Sequence, residues 1–443
     1  MKLEKFKNLL ESKYMVVAIL FIGFFGWILN IPFISVPILA VIVSLIFILC
    51  NDVKNTFAAI IHAPYFFNDI NASLVLFIIS ICLVVSSIIY FIIKNLIKNK
   101  EITKGKMFWA FVISTIAFLL GGIYKNFNLL SFLITLGISI ICYVLYWICI
   151  NFTNNFKTFL FNLFICSSIF ISLQIVSSII ATGNILQAIS SRQVVWIGLQ
   201  NVNAACVYLT LGIISCFSLG YKTKRDWLYF LLSLLFALII FVTYCRIMLL
   251  LSAITLLVLF IIMFIKSQNK KIFLMLLGFA FVCIAIFWII KPEVINKLIQ
   301  SLLSRGISLN GRDQLWPWCW NKFKEFPIFG IGFYSLEEVP TTHVFHNLVS
   351  AHNTLLQWLT SLGIVGTFLM TFFYYKKYQI IFKSGTFSNF FLIISIIMIE
   401  LNGIVDQAAI MDTFIYIISL ILIASVEKEN NKPQQLQQTK LQV

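Results

Sequence analysis

Leu74-Val75-Leu76-Phe77-Ile78-Ile79-Ser80-Ile81-Cys82-Leu83-Val84-Val85-Ser86-Ser87-Ile88-Ile89-Tyr90-Phe91-Ile92-Ile93 runs 20 residues without a charge and stops at Lys94. As a helix it would span roughly 30 Å, the hydrocarbon thickness of a bilayer. It is apolar all round, so it shows neither the alternation of a barrel strand nor the single stripe of a surface helix. Runs of this kind recur near 14–30, 33–50, 72–93, 107–124, 128–150, 157–181, 195–219, 227–244, 246–265, 272–290, 353–375, 387–402 and 409–425. Hydrophobic residues make up 61% of the 443-residue chain and charged residues 11%, against about 25% charged in soluble domains. A soluble enzyme, a disordered scaffold and a secreted disulfide protein are excluded. The expected class is an all-α polytopic membrane protein, because a backbone in lipid must satisfy its own hydrogen bonds.

The formal net charge is +16, but the placement of the charges argues against nucleic-acid binding. Most Lys residues lie in short loops between apolar runs, where they set orientation. Lys94, Lys98, Lys100, Lys104 and Lys106 mark one inner loop. Lys222, Lys224 and Arg225 mark a second, Lys266, Lys270 and Lys271 a third, and Lys376, Lys377 and Lys383 a fourth. Strict alternation then puts 182–194, 243–246 and 291–351 outside. The N-terminal quarter does not fit simple alternation, so either one of its two runs fails to span or 53–70 re-enters. About 12 spans are expected, with 12 to 14 open. The expected organisation is a bundle over 1–290, an outer helical loop over 291–351, C-terminal spans over 352–426 and a disordered, Gln-rich inner tail over 427–443. Nine of the ten Cys lie in apolar stretches, Cys319 being the exception, and no CxxC pair exists. Neither a disulfide framework nor a structural zinc motif is supported.

The long outer stretch carries most of the chemistry. Val294 to Leu303 has apolar residues at helical spacing, as in a helix lying on the membrane or packed on the bundle. Trp316, Trp318, Trp320, Phe323 and Phe326 follow, suited to an interfacial belt or to stacking on sugars. The pair Gly330 and Gly332 lacks the remainder of a nucleotide fingerprint and is read as a tight turn. Of the five Arg, only Arg225 maps inside; Arg192, Arg246, Arg305 and Arg312 map to the outer face. A guanidinium fork suits phosphate better than an ammonium does. Arg246 sits between two apolar runs, where a cation is expensive, and an anion site is the preferred reading. His343 and His346 with Glu337 or Glu338 could be imagined around zinc, but their spacing matches no metalloenzyme motif. His352 opens a helical stretch, and an imidazole there could take a proton from a sugar hydroxyl. Asn353 and Gln357 follow on one helical face.

Together these residues resemble the O-antigen ligase/polymerase superfamily. The resemblance runs from Gly311-Arg312 through Trp316, Phe323, Pro327, Gly330 and Gly332 to His352-Asn353, Leu356-Gln357, Gly363 and Gly366. Upstream, Thr243-Tyr244-Cys245-Arg246 resembles that family's Thr-x-Ser-Arg turn, with Cys245 in the Ser position. Asn201 and Asn203 resemble its Asn-containing helix start, and the likeness covers about 192–375. It implies a cofactor-free, metal-independent glycosyltransferase that takes an undecaprenyl-pyrophosphate-linked oligosaccharide at the outer face of the bacterial cytoplasmic membrane. Capsule or exopolysaccharide polymerisation is the expected variant, and ligation to a lipid A core the alternative. Arg246 and Arg312 would converge on the pyrophosphate, and His352 would activate the acceptor. Arg192, Arg305, Asn203, Asn353, Gln357 and Asp406 would bind substrate. His346-Asn347 is a second His-Asn pair, but it lacks the downstream Leu-Gln and Gly-x-x-Gly. Other polysaccharide-assembly membrane proteins would be partners. The rival class is a lipid-linked-oligosaccharide flippase or other transporter, which would need ionisable residues spread through many spans. Here they gather at one face, and Glu400 is the main exception.

Overall fold

The computed structural model describes residues 2–63, 74–98, 102–123, 129–183, 202–221, 223–243, 245–290, 292–293, 296, 312–332, 351–383, 389–405 and 413–441. Among these residues every regular element is a helix. The first five are α1 (Lys2–Glu11), α2 (Lys13–Ile28), α3 (Pro32–Leu49), α4 (Thr56–His62) and α5 (Leu74–Lys98). Next come α6 (Phe108–Leu120), α7 (Leu129–Asn151), α8 (Phe156–Ala181), α9 (Val202–Gly220), α10 (Asp226–Val242), α11 (Arg246–Lys266) and α12 (Lys270–Ile290). The last are α13 (Arg312–Glu325), α14 (Thr354–Phe382), α15 (Phe390–Val405) and α16 (Thr413–Leu441). Seven described helices are long and apolar enough to cross a bilayer, or eight if the bent pair α1 and α2 counts as one span. Four shorter apolar helices, Phe108–Leu120, Leu136–Asn151, Asp226–Val242 and Phe390–Ile404, accompany them. The protein is polytopic and all-helical. The expected surface helix at 294–303 lies outside the described residues, save Asn296.

The chain divides into two compact units, one of 1–101 with 152–306 and one of 102–151 with 307–443. The expected N-terminal bundle over 1–290 is therefore interrupted. Its segment 102–151 packs with the C-terminal helices, because α6 lies along α14 and α7 along α16.

In the first unit α9 is the core helix, with 83% of its span window buried. Small residues make that possible. A Cβ on Gly212 would come within 2.1 Å of the Ser168 hydroxyl, so α8 and α9 approach closely only with glycine there. Ser168 donates to the Tyr208 carbonyl at 2.9 Å, and the Tyr208 hydroxyl donates to the Ile61 carbonyl at 2.6 Å. These bonds satisfy polar groups where no water is at hand. The segment expected to re-enter the membrane is described only as far as Ala63, where α4 lies buried against α2 and α3.

The second unit corrects two expectations. Lys377 is not a loop charge: α14 continues to Phe382, and Lys377 is 2% exposed in an ion pair with Glu400 of α15. Its ammonium also donates to the Ser419 hydroxyl at 3.3 Å and lies 5.1 Å from the centroid of the Tyr374 ring. Burial of either charge alone would be costly, and the pairing explains both. The tail, expected to be disordered from Glu427, continues α16 to Leu441. Glu427 is buried, accepts from the Tyr146 hydroxyl, and accepts the Lys106 backbone N–H at 2.9 Å. Composition marked the polar residues but could not show that the first of them plug the end of the bundle.

Candidate active site

The site region of the second unit is organised by a break in α14. Gly363 has φ 64° and ψ −165°, which interrupts the helix after Leu362. A regular helix would join the N–H groups of Ile364 and Val365 to the carbonyls of Thr360 and Ser361. Here Ile364 donates to the Pro327 carbonyl at 2.8 Å and Val365 to the Ile328 carbonyl at 3.1 Å. The released carbonyls of Thr360 and Ser361 accept from Ile331 and Gly332, each at 2.9 Å. Two helical hydrogen bonds are thus exchanged for four loop bonds, which satisfy the N–H groups of Ile364 and Val365 and the carbonyls of Thr360 and Ser361.

This crossing explains the two glycine motifs together. Gly330 and Gly332 have φ of 65° and 81°, left-handed values that glycine adopts at little cost. A Cβ on Gly330 would sit 2.5 Å from the Thr360 carbonyl oxygen, and one on Gly363 would sit 2.5 Å from the Ile328 carbonyl. A third strand of chain joins them: Gly122, just beyond α6, donates its N–H to the Phe329 carbonyl at 3.0 Å. Sequence reading took Gly330 and Gly332 as a tight turn, which they are, but missed Gly121-Gly122. A Gly-Gly pair closing an apolar run was the available signal.

The crossing fixes α13 against the start of α14. Leu315, Cys319, Ile331 and Ala351 form one buried cluster, with Trp318, Phe326 and Leu356 packed on it. Burial pushes the Cys319 thiol up to about 11, so it is a packing residue rather than a nucleophile. The Trp316 indole donates to the Ala351 carbonyl at 2.9 Å. The Gln357 side-chain oxygen accepts the Ala351 N–H at 2.7 Å, while its amide nitrogen donates to Ser361 at 2.7 Å. Asn353 caps α14, accepting the Leu356 N–H at 2.9 Å, and donates to the Ile404 carbonyl at 3.1 Å. Thr354 adds a bond to the Gly403 carbonyl at 2.7 Å.

His352 lies between these two anchored residues, half-buried, with φ 47°. A non-glycine residue in that conformation persists where neighbours impose it, often at functional sites. Asn353 and Gln357 were expected to bind substrate. The structure engages both in holding the backbone beside His352, and Gln357 is fully buried. Arg312 is the first residue of α13, half-buried, one turn before Trp316. It therefore shares a helical face with the tryptophan that grips Ala351.

In the first unit Arg246 is likewise the first residue of its helix, α11, and half-buried. Cys245 before it is buried and makes no side-chain cap. Thr243 closes α10 by donating to the Ile240 carbonyl at 2.7 Å, and its hydroxyl is 3.0 Å from the Cys206 sulfur. Asn203 is one turn before Cys206, so the expected Asn203 and Arg246 come to one end of this unit. Arg192, Arg305 and Asp406 lie outside the described residues, as do Asn201, Glu337, Glu338, His343 and His346.

Residues 231–371 match the family model described as O-antigen ligase. The superfamily read from the motifs is thus supported by the stretch that holds Arg246, Arg312 and His352. Arg305, Asn353 and Gln357 also fall inside the O-antigen ligase segment, whereas Arg192, Asn203 and Asp406 fall outside it. Gly330, Gly332, Gly363 and the residues flanking His352 fall in that segment as well, whereas Gly122, Gly403 and Ile404, which bond to it, do not. The family points to a glycosyl-transferring membrane enzyme acting on lipid-linked glycans. No curated protein matches the chain.

Proposed function

We propose that the protein transfers or polymerises glycan from an undecaprenyl-pyrophosphate-linked donor at the outer face of the bacterial cytoplasmic membrane. The observation that carries this reading is the O-antigen ligase match over 231–371, which includes Arg246, Arg312 and His352. Both arginines are the first residues of their helices. A helix N-terminus already carries partial positive charge, so a cation there adds to it at a cost that a bound anion reverses. Such positions suit a diphosphate, and the fork of each guanidinium can hold it by two parallel bonds.

The chemistry follows from these groups. The acceptor hydroxyl attacks the anomeric carbon as the bond from that carbon to the pyrophosphate oxygen breaks. The electron pair leaves with the pyrophosphate, whose growing negative charge Arg246 and Arg312 stabilise. The hydroxyl proton passes to His352. Arg192 and Arg305 would hold further phosphate or sugar oxygens, and Asn203 and Asp406 would contact sugar. The outer face, the expected twelve spans and independence from metal are parts of this proposal.

The polymerase variant is favoured by the composition, rich in Ile, Lys, Asn and Phe. The family's own description favours the ligase variant as a second reading. Purified protein in detergent, given a lipid-linked repeat unit and no energy source, should produce a ladder of longer lipid-linked glycans, with chelator present throughout. A single addition to a lipid A core acceptor would select the ligase. No change in either glycan, or loss of turnover on chelation, would remove the metal-independent clamp and return attention to His343 and His346.

A further inference from the structure

A groove of about 630 Å³ runs between α2 and α8 in the first unit. Its lining changes character along its length. At one end are Lys13, Lys54 and Asn155, at the starts of α2 and α8 or beside them. Further along the same helices it is lined by Val17, Leu163 and Cys166. Cys166 is ten residues beyond the first residue of α8, about 15 Å at helical rise. Asn162 of α8 also lines the groove, its amide donating to the Thr158 carbonyl at 2.8 Å, so both helices run from a polar mouth into a mostly apolar slot.

The mouth has a cationic balance despite nearby acids. Glu11 is engaged by the Asn51 backbone N–H at 3.1 Å and by Lys7 at 3.9 Å. Asp52 is held by Lys54 at 2.6 Å. Lys13 is exposed beside Tyr14. The α8 N-terminus adds its own partial charge, and Asn155, at φ 47°, supplies no side-chain cap to it.

A second observation places this mouth at a lipid surface. The axis of α1 turns 70° from that of α2. Leu3, Phe6 and Leu9 are exposed at 67%, 40% and 50%, on one edge at three-residue spacing. Lys2, Lys5 and Lys7 alternate with them. A short helix with exposed apolar residues and flanking lysines lies in the bilayer interface.

We propose that the groove holds one anionic glycerophospholipid from the leaflet at the N-terminal end. Its phosphate sits among Lys13, Lys54 and the start of α8, and an acyl chain follows Val17, Leu163 and Cys166. The inference rests on the membrane reading and does not depend on the transfer reaction.

Native mass spectrometry of the full chain in detergent tests it, with phosphatidylglycerol and phosphatidylethanolamine of identical acyl chains. One phosphatidylglycerol should stay bound more tightly than its zwitterionic counterpart. Lys13→Gln should weaken it about fivefold, the worth of one lysine near an anionic surface, while Lys271→Gln should leave it unchanged. Cys166→Trp should block the slot without changing charge. Val17→Trp, at the exposed rim, makes the same test if the Cys166 variant fails to fold. Equal retention of the two lipids would overturn the proposal. So would equal effects of the two lysine variants, or normal lipid binding in both Trp variants. Displacement by millimolar inorganic phosphate would overturn it too, since that would reveal an anion site indifferent to the lipid chain.

Discussion

His352 and Arg246 are held in contrasting ways. The residue before His352 is gripped twice, by Gln357 and Trp316, and the residue after it caps a helix. All of this stands on four backbone bonds across the α14 break. Arg246 follows a turn closed by the Thr243 hydroxyl and a thiol contact, with an uncapping Cys245. In the proposed role of base, His352 would need close aim at the proton it takes, and an anchored backbone on both sides suits that role. In the proposed role of diphosphate ligand, Arg246 would reach on a long stem toward a wide target. The contrast predicts that the first region fails through geometry and the second through lost charge.

The largest effect should come from Gly363→Ala. A Cβ there meets the Ile328 carbonyl carbon at 2.5 Å, in a conformation that alanine resists. Strain and overpacking together should cost about 2–5 kcal/mol, seen as a fall in the thermal midpoint in detergent. A normal midpoint would mean the crossing is not what holds the neck.

His352→Ala should come next, lowering turnover at least about a hundredfold with little change in stability. His346→Ala should do much less. Equal losses would mean that both His-Asn pairs act in the reaction.

Arg246→Lys and Arg312→Lys should each slow donor consumption roughly ten- to a hundredfold, because an ammonium replaces the fork with a point charge. If both arginines serve one leaving group, the double variant will lose less than the product of the two. Near-full activity of Arg246→Lys would break the comparison on its second side.

The smallest effect belongs to Trp316→Phe, which keeps the ring and removes one hydrogen bond to Ala351. A loss of about 0.5–1.5 kcal/mol should appear as a two- to tenfold drop in turnover. An effect as large as that of His352→Ala would mean that the indole touches substrate.

The helical class was legible because lipid leaves the backbone few options, and a run such as 74–93 states its length openly. The helices at Arg246–Lys266 and Lys270–Ile290 nearly coincide with the apolar runs that announce them. The pairing of α6 and α7 with the C-terminal helices was not legible, since apolar faces of equal hydropathy carry no address. The parts played by Gln357 and Asn353 were missed for a related reason. A side-chain amide one or five residues from His352 looks the same in sequence whether it faces a ligand or a neighbouring backbone group. Lys377 was misplaced because positive charge near a helix end ordinarily marks the inner side, and only its pairing with Glu400 shows the exception.

That ion pair also bears on how the protein is made. A lone charge in a span is penalised by about 2.5–3.5 kcal/mol at a helix centre and by less toward an end, where Lys377 lies. Lys377 and Glu400 lie on consecutive helices, joined by a short connection between Phe382 and Phe390. If α14 left the translocon first, it would carry its ammonium into lipid unpaired. If the two leave as a hairpin, each charge is neutralised at the moment water is lost. On this electrostatic argument the pair favours insertion of α14 and α15 together over insertion of either alone.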